Sequence, residues 1–281
     1  MSAIAPQTTV GPVHLTVSDL DRSLCYYSDT IGLETLERSS SRASLGSAGR
    51  ELLVLVEEPG AKPAPSHTGL FHFALLVPER PALARWLAHA ARDRVGLAGL
   101  SDHRVSEAIY LRDPDYHGIE IYADRPRESW DGDVAEVMTT LPLDVDDLLA
   151  ELGDPETEPF ERLADGTVMG HVHLQVSEIP PTTTFYRDLL GFDLTAQIPQ
   201  AAFLSAGGYH HHIGANTWKS AGAAPPPPGS AALRHATIVL PDAAERDRVA
   251  GTISDAGLEL EEGEGGPIVR DPSGNALLLA D

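Results

Sequence analysis

Three adjacent histidines, His210, His211 and His212, interrupt an apolar stretch, "GGYHHHIGANTW" (207–218). Imidazole titrates near neutral pH and offers a lone pair to a metal, so such a run suits proton transfer or metal ligation. Alternation along a strand puts His210 and His212 on one face, lining a common cavity, and His211 on the other, packing between neighbouring barrels. More histidines stand near the start of apolar segments: His14 in "VHLTV", His72 in "FHFALL", His173 in "VHLQV" and His235 in "RHATIV". His171 lies two residues before His173 and shares its strand face. Glu120, in "GIEIYAD", sits between Ile119 and Ile121 and must face away from both, into a barrel or into water. Taken singly, a strand histidine is more often a satisfied structural residue than a ligand. The single cysteine, Cys25, excludes an internal disulfide, and there is no cysteine-pair zinc motif, Gly-rich phosphate loop or Ser-His-Asp order.

These groups are carried by a chain of 281 residues, 42% of them apolar, which is enough to build a proper core. Acidic residues number 42 against 20 basic, a net charge of −22. Such a surface repels phosphate backbones and anionic lipid, so nucleic acid and membranes are not expected partners. No window approaches the roughly 18 apolar residues of a membrane span, and the start of the chain lacks a basic region followed by an apolar run. The expected location is cytoplasmic.

The elements that would position the histidines repeat. "VHLTVSDLDRSLCYYSDTIGL" (13–33) reappears as "VHLQVSEIPPTTTFYRDLLGF" (172–192), an offset of 159 that maps His14 to His173 and Tyr27 to Tyr186. The segment starting at Phe71 resembles the one starting at Arg234, mapping His72 to His235, and "RDPDYHGIEIYAD" (112–124) resembles "RDPSGNALLLAD" (270–281). Each unit reads as a short alternating strand, a helix (Leu20–Thr30 or Pro181–Leu190) ended by Gly32 or Gly191, and then two or three strands between Gly, Ser and Asp-Pro turns. The chain therefore contains four βαβββ modules, 8–58, 68–125, 167–220 and 231–281. They form an N-terminal half (8–125) and a C-terminal half (167–281), joined by an acidic linker (126–166) with a short helix near Val145–Leu152. "AAPPPPGS" (223–230) reads as a stiff spacer.

Four βαβββ modules, each opening on an apolar strand with a histidine, resemble the vicinal oxygen chelate superfamily of glyoxalases, bleomycin-resistance proteins and extradiol dioxygenases. The resemblance covers nearly the whole chain and implies an α+β fold in which paired modules curl into open mixed β-barrels. Among its members, the chain is most similar in pattern to the catechol 2,3-dioxygenase-like enzymes. These hold Fe(II) with a histidine opening one module, a histidine opening the next, and a glutamate on the last strand six residues after a proline.

Placed on this sequence, that pattern implies the metal ligands His72, Glu120 and His171. Neither sequential half carries the full set: modules one and two have Pro12 at the first histidine's place, and modules three and four have Leu278 at the glutamate's. The resemblance thus implies that modules two and three close around the metal while modules one and four pair as a metal-free partner, with His235 a vestige of duplication.

The family's acid–base histidine, in a context like "His-x-x-Ala", falls on His212 with Ala215 behind it, and His210 would line the same substrate cavity. The family's tyrosine ten residues before the glutamate is Tyr110. Its further histidine, nine before the tyrosine, meets Ser101, so His103, seven before, is the candidate to replace it. Trp218, with Phe203 and Tyr209, would wall an aromatic ring.

The implied activity is extradiol cleavage of a catechol with O₂ to a 2-hydroxymuconic semialdehyde, a step of aromatic catabolism. It would depend on Fe(II), with Mn(II) compatible with the same donors, and a homo-oligomer is compatible with such barrels. The alternatives on this scaffold are a glyoxalase-like lyase or isomerase and a non-catalytic antibiotic-binding protein.

Overall fold

The computed structural model describes residues 3–130, 134–153 and 160–281; residues 131–133 and 154–159 of the acidic linker and the first two residues of the chain lie outside it. Module one comprises β1 (Thr9–Val17), α1 (Leu20–Cys25), β2 (Glu34–Arg38), β3 (Arg42–Ser47) and β4 (Arg50–Glu57), followed by the short β5 (Lys62–Pro63). Module two comprises β6 (Gly69–Leu76), α2 (Arg80–Arg92), β7 (Leu97–Asp102), β8 (Ser106–Arg112) and β9 (Gly118–Asp124). The connecting segment holds α3 (Val134–Val137), β10 (Leu141–Pro142) and α4 (Val145–Leu149). Module three comprises β11 (Val168–Gln175), α5 (Ile179–Thr183), β12 (Asp193–Ile198), β13 (Ala201–Ser205) and β14 (Ile213–Asn216), followed by β15 (Ser230–Ala231). Module four comprises β16 (Leu233–Val239), α6 (Ala243–Asp255), β17 (Glu261–Gly263), β18 (Gly266–Arg270) and β19 (Ala276–Ala280).

Local chemistry accounts for these bounds. Asp19 caps α1 by accepting from the Arg22 amide. The helix then widens to a π turn over Tyr26–Ile31 and stops at Gly32, whose φ of 89° is the left-handed conformation that ends helices. Its duplicate behaves alike, with Ile179–Thr183 running into a π turn over Thr184–Leu189.

The sheets pair the quarters as expected. An eight-stranded sheet runs β17-β18-β19-β16-β1-β4-β3-β2, joining modules four and one; a nine-stranded sheet runs β10-β7-β8-β9-β6-β11-β14-β13-β12, joining modules two and three. We call these the outer and inner barrels. Their central seams match residue for residue: His14 pairs with His235 across β1 and β16, as His173 pairs with His72 across β11 and β6.

One continuous apolar cluster unites both barrels, with Leu15 and Leu53 from the outer and Phe73 and Leu174 from the inner. Two copies of one polar clasp stitch them together. Asp113 Oδ1 accepts from the amides of Asp115 and His117, and Tyr27 of module one donates to Asp113 Oδ2 at 2.9 Å. In the other copy Asp271 Oδ1 accepts from the amides of Ser273 and Asn275, and Tyr186 of module three donates to Asp271 Oδ2 at 3.2 Å. Each clasp holds the loop just before the last strand of its module and is buried, so each of its hydrogen bonds is costly to leave unmade.

The segment between the halves is not a plain spacer. β10 pairs with β7, and α4 is tied to the start of α2 by Arg80, which donates to Asp147 and Glu151 as well as to the buried Glu107.

Candidate metal centre

Both β6 and β9 are parallel neighbours within the inner barrel, with Ala74 opposite Glu120, and β11 lies on the other side of β6, with Ala74 opposite His171. This register delivers His72, Glu120 and His171 to one point. Their nearest ligand atoms all lie within 4.8 Å of one another. His72 Nε2 is 2.9 Å and His171 Nε2 3.2 Å from the same carboxylate oxygen, Glu120 Oε2. All three side chains are buried. Gly170, just before His171, permits the approach: a Cβ there would fall 1.8 Å from the Tyr122 hydroxyl.

The electrostatics suit a cation. Burial alone would raise the Glu120 pKa, but the adjacent His171 and His72 outweigh it and hold the carboxyl well below its ordinary value. Burial lowers the His72 pKa, against the opposing pull of Glu120, so its lone pair is available at neutral pH. His72 Nε2 is also buried and, although 2.9 Å from Glu120 Oε2, is not aligned for a hydrogen bond with it. An orphaned imidazole nitrogen and a carboxylate aimed at one point would cost stability if nothing met them, and a divalent ion accepted by two imidazoles and a carboxylate would meet them. The residues present fit such an ion.

The three candidates border a cavity of about 600 Å³. Tyr110, opposite Glu120 across β8 and β9, lines it together with His103. His103 Nδ1 lies 2.7 Å from the Thr139 carbonyl, which can only accept, so the proton sits on Nδ1. The Tyr110 hydroxyl, 2.8 Å from His103 Nε2, therefore donates to it. Burial, then the charge of Glu120, raises the Tyr110 pKa well above 10, and the phenol keeps its proton. His103 thus occupies a shifted loop position within reach of Tyr110. Trp218 is half-exposed at the rim, edge-on to Phe71 at 5.3 Å, and Phe203 lies deeper.

The histidine run departs from the alternation expected of it. His211 lines the cavity, its ring centroid 4.1 Å from that of His171, while His210 and His212 do not line it. The cause is local backbone. β14 begins only at Ile213, so residues 209–212 are not strand, and Gly207 and Gly208 turn the chain with φ of 60° and 71°. His212 Nδ1 instead accepts from the Ala206 amide at 3.1 Å, and burial, then His210 and His171, pushes its pKa down to about 4. His210 is fully buried against Asp124. The expectation that His210 and His212 line the cavity does not hold: of the three histidines, His211 lines it. Tyr209 likewise faces away from the cavity, toward Tyr122 and Asp124.

Sequence reasoning also missed His173, which lines the cavity between Phe71 and Trp218 and is held neutral by burial and by His72. Its spacing of two from His171 was the available signal. It missed Ala135, Met138, Thr139 and Thr140 of the connecting segment, which form part of the wall. No sequence signal marked them.

The outer barrel holds the matched positions with two of the three donors replaced. Thr237 lies opposite Leu278, as Ala74 lies opposite Glu120, and Pro12 stands where His171 does, its carbonyl accepting from Thr237 at 2.8 Å. His14 and His235 stack on each other at 3.9 Å instead of facing a carboxylate.

No helix among the described residues is long and apolar enough to cross a membrane. Comparison with known proteins agrees with the geometry. A protein of Bacillus subtilis (strain 168) described as catechol-2,3-dioxygenase is 42% identical over 285 residues, covering 99% of both chains. The crystal structure of a putative dioxygenase from B. subtilis subsp. subtilis str. 168 aligns with a TM-score of 0.68 at 14% identity, covering 99% of this chain and 86% of that one. Glyoxalase I from Zea mays aligns at 0.59 and 18%, covering 98% and 92%. The family described as Glyoxalase/Bleomycin resistance protein/Dioxygenase superfamily matches residues 9–121 and 168–279, and the chain belongs to it.

Proposed function

We propose that this chain is an extradiol ring-cleaving dioxygenase that uses Fe(II) and O₂ to convert catechol or a substituted catechol to a 2-hydroxymuconic semialdehyde. The observation that carries this reading is the convergence of His72, Glu120 and His171 on one point of a cavity that also presents His211 and the Tyr110–His103 pair. The 42% identical relative described as a catechol-2,3-dioxygenase supports it.

A ferrous ion held by the three residues would supply Lewis acidity and a template for bringing ring and O₂ together. The protein supplies the rest. His211, kept neutral by burial and by the neighbouring His171 and His210, takes a proton from a catechol hydroxyl and is placed to return it. The Tyr110 hydroxyl can turn from His103 to donate to a catecholate oxygen, while His103 holds its orientation. Phe71, Phe203 and Trp218 flank the ring and keep water from it. Mn(II) suits the same donors, and metal analysis of the isolated protein distinguishes the two.

The test is anaerobic loading with Fe(II), then addition of catechol and air. A yellow ring-fission product with one O₂ consumed per catechol is the expected outcome. No uptake with any simple catechol, but turnover of a thiol adduct, would transfer the chain to a glyoxalase-type reaction.

A further inference from the structure

His211 can serve as a base only if the ring nitrogen facing the cavity is bare, and in a neutral imidazole either nitrogen can carry the proton. Its neighbours settle which. His211 Nδ1 lies 2.8 Å from His210 Nδ1, so one of these two nitrogens donates and the other accepts. His210 Nε2 in turn lies 2.9 Å from Asp124 Oδ1. The same oxygen accepts from the Tyr209 hydroxyl at 3.2 Å, and Tyr209 is 2.7 Å from the Tyr122 hydroxyl. Burial raises both phenols well above 10, so they keep their protons, and Asp124 is fed by donors.

A carboxylate has no proton to give. His210 Nε2 must therefore carry one, which leaves His210 Nδ1 bare in the neutral ring. His211 Nδ1 must then donate, and His211 Nε2 is left as a lone pair on the cavity side. His210 is completely buried, its ring centroid 4.0 Å from that of Tyr209 and edge-on to Trp130 at 5.5 Å, which fixes the ring between Asp124 and His211. Asp124 ends β9, four residues beyond Glu120 and on the same strand face, so one strand supplies both the candidate metal carboxylate and the anchor of this chain. The outer barrel has no counterpart: Ile213 and Leu53 hold matched strand positions, so Glu51 and Arg50 stand where His211 and His210 do.

We propose that Asp124 and His210 are positioning residues whose directed hydrogen bonds lock His211 in the tautomer with a bare Nε2 toward the cavity. The proposal rests on the reading of His211 as the group that handles the substrate proton.

The test is a ¹⁵N–¹H multiple-bond spectrum of the full-length, metal-free protein labelled at histidine, with His211 identified by its loss in His211→Gln. The expected spectrum has a protonated Nδ1 and an imine-type Nε2 at His211. Asp124→Leu removes the acceptor from His210 Nε2 and should release the chain, giving His211 a mixture of Nδ1- and Nε2-protonated rings. In the Fe(II)-loaded protein the same variant should lose about 10–100-fold in kcat, as loss of an orienting partner does, with KM and metal content little changed.

A wild-type His211 protonated on Nε2 overturns the proposal even if the variant fails to fold, as does an Asp124→Leu spectrum identical to wild type. If the wild-type protein cleaves no catechol, the functional reading falls while the spectrum still decides the tautomer.

Discussion

In the inner barrel His173 sits opposite His72 and Glu120 opposite Ala74; in the outer barrel His14 sits opposite His235 and Leu278 opposite Thr237. The strands, their order and their pairing are the same, and the side chains presented at the centre are not. Where one barrel offers His171, Glu120, Tyr110 and His211, the other offers Pro12, Leu278, Ile268 and Glu51. The polar clasps survive in both copies, as Tyr27–Asp113 and Tyr186–Asp271. Packing and backbone hydrogen bonds depend on many residues and are preserved in both halves of the duplication. The candidate donor set rests on three positions, so replacing two of them, as Pro12 and Leu278 do, leaves a barrel with its architecture and only His235 of that set.

The comparison can be broken most severely by copying the outer barrel into the inner. Glu120→Leu reproduces Leu278 and removes the carboxylate while keeping an apolar filling. The expected result is a folded protein with metal at background by elemental analysis. Turnover should fall more than about 100-fold, since loss of outer partners alone costs 10–100-fold. The matched change His235→Ala should leave metal content as it was. Metal retained in the first variant, or lost in the second, would show that the wrong barrel was assigned.

The clasps give a finer contrast. Tyr27→Phe removes the donor to the buried Asp113 Oδ2 and should cost about 1–3 kcal/mol in urea unfolding, and Tyr186→Phe less, because Asn275 Nδ2 still donates to Asp271 Oδ2 at 2.9 Å. Only Tyr27→Phe loosens the loop that leads into β9 and Glu120, so only it should weaken metal affinity. Equal effects of the two on metal binding would remove the link between clasp and site.

The smallest effect is pH dependence of the metal-free protein. Burial, with neighbouring charges, lowers His14 to about 3 and His235 and His212 to about 4. Folded-state values below 6.5 mean that the unfolded chain binds more protons as pH drops. The stabilisation is therefore full above about 6.5 and is lost as pH falls toward about 4. Urea midpoints should decline through that window, and less steeply in a His14→Leu/His235→Leu double variant. An unchanged slope in that variant would show that the outer pair is not what titrates.

The four modules were legible because they rest on periodicity and duplication, whereas their pairing across the halves and the choice of His72, Glu120 and His171 were implied by the resemblance to the extradiol dioxygenases, whose pattern neither sequential half completes. Alternating apolar residues fix which face of a strand is buried, and a duplicated pattern fixes the register at both seams. Tyr110 was implied by the same resemblance, and the regular hairpin of β8 and β9 sets it opposite Glu120. The histidine run failed the same reasoning at a definable place. In module one the corresponding strand starts at Arg50 and is regular throughout, whereas in module three Gly207 and Gly208 bend the chain and β14 starts three residues later in matched register, at Ile213.

The sequence by itself therefore determined the four-module architecture, because it follows from a two-residue repeat along strands and from its duplication, while the candidate metal residues followed from a family pattern laid on those strands. Tertiary structure alone decided that His211 faces the cavity, that residues 135 and 138–140 wall it, and that Asp124 and His210 stand behind His211. Those placements depend on loop dihedrals and on contacts between residues far apart in the chain, which no local pattern encodes.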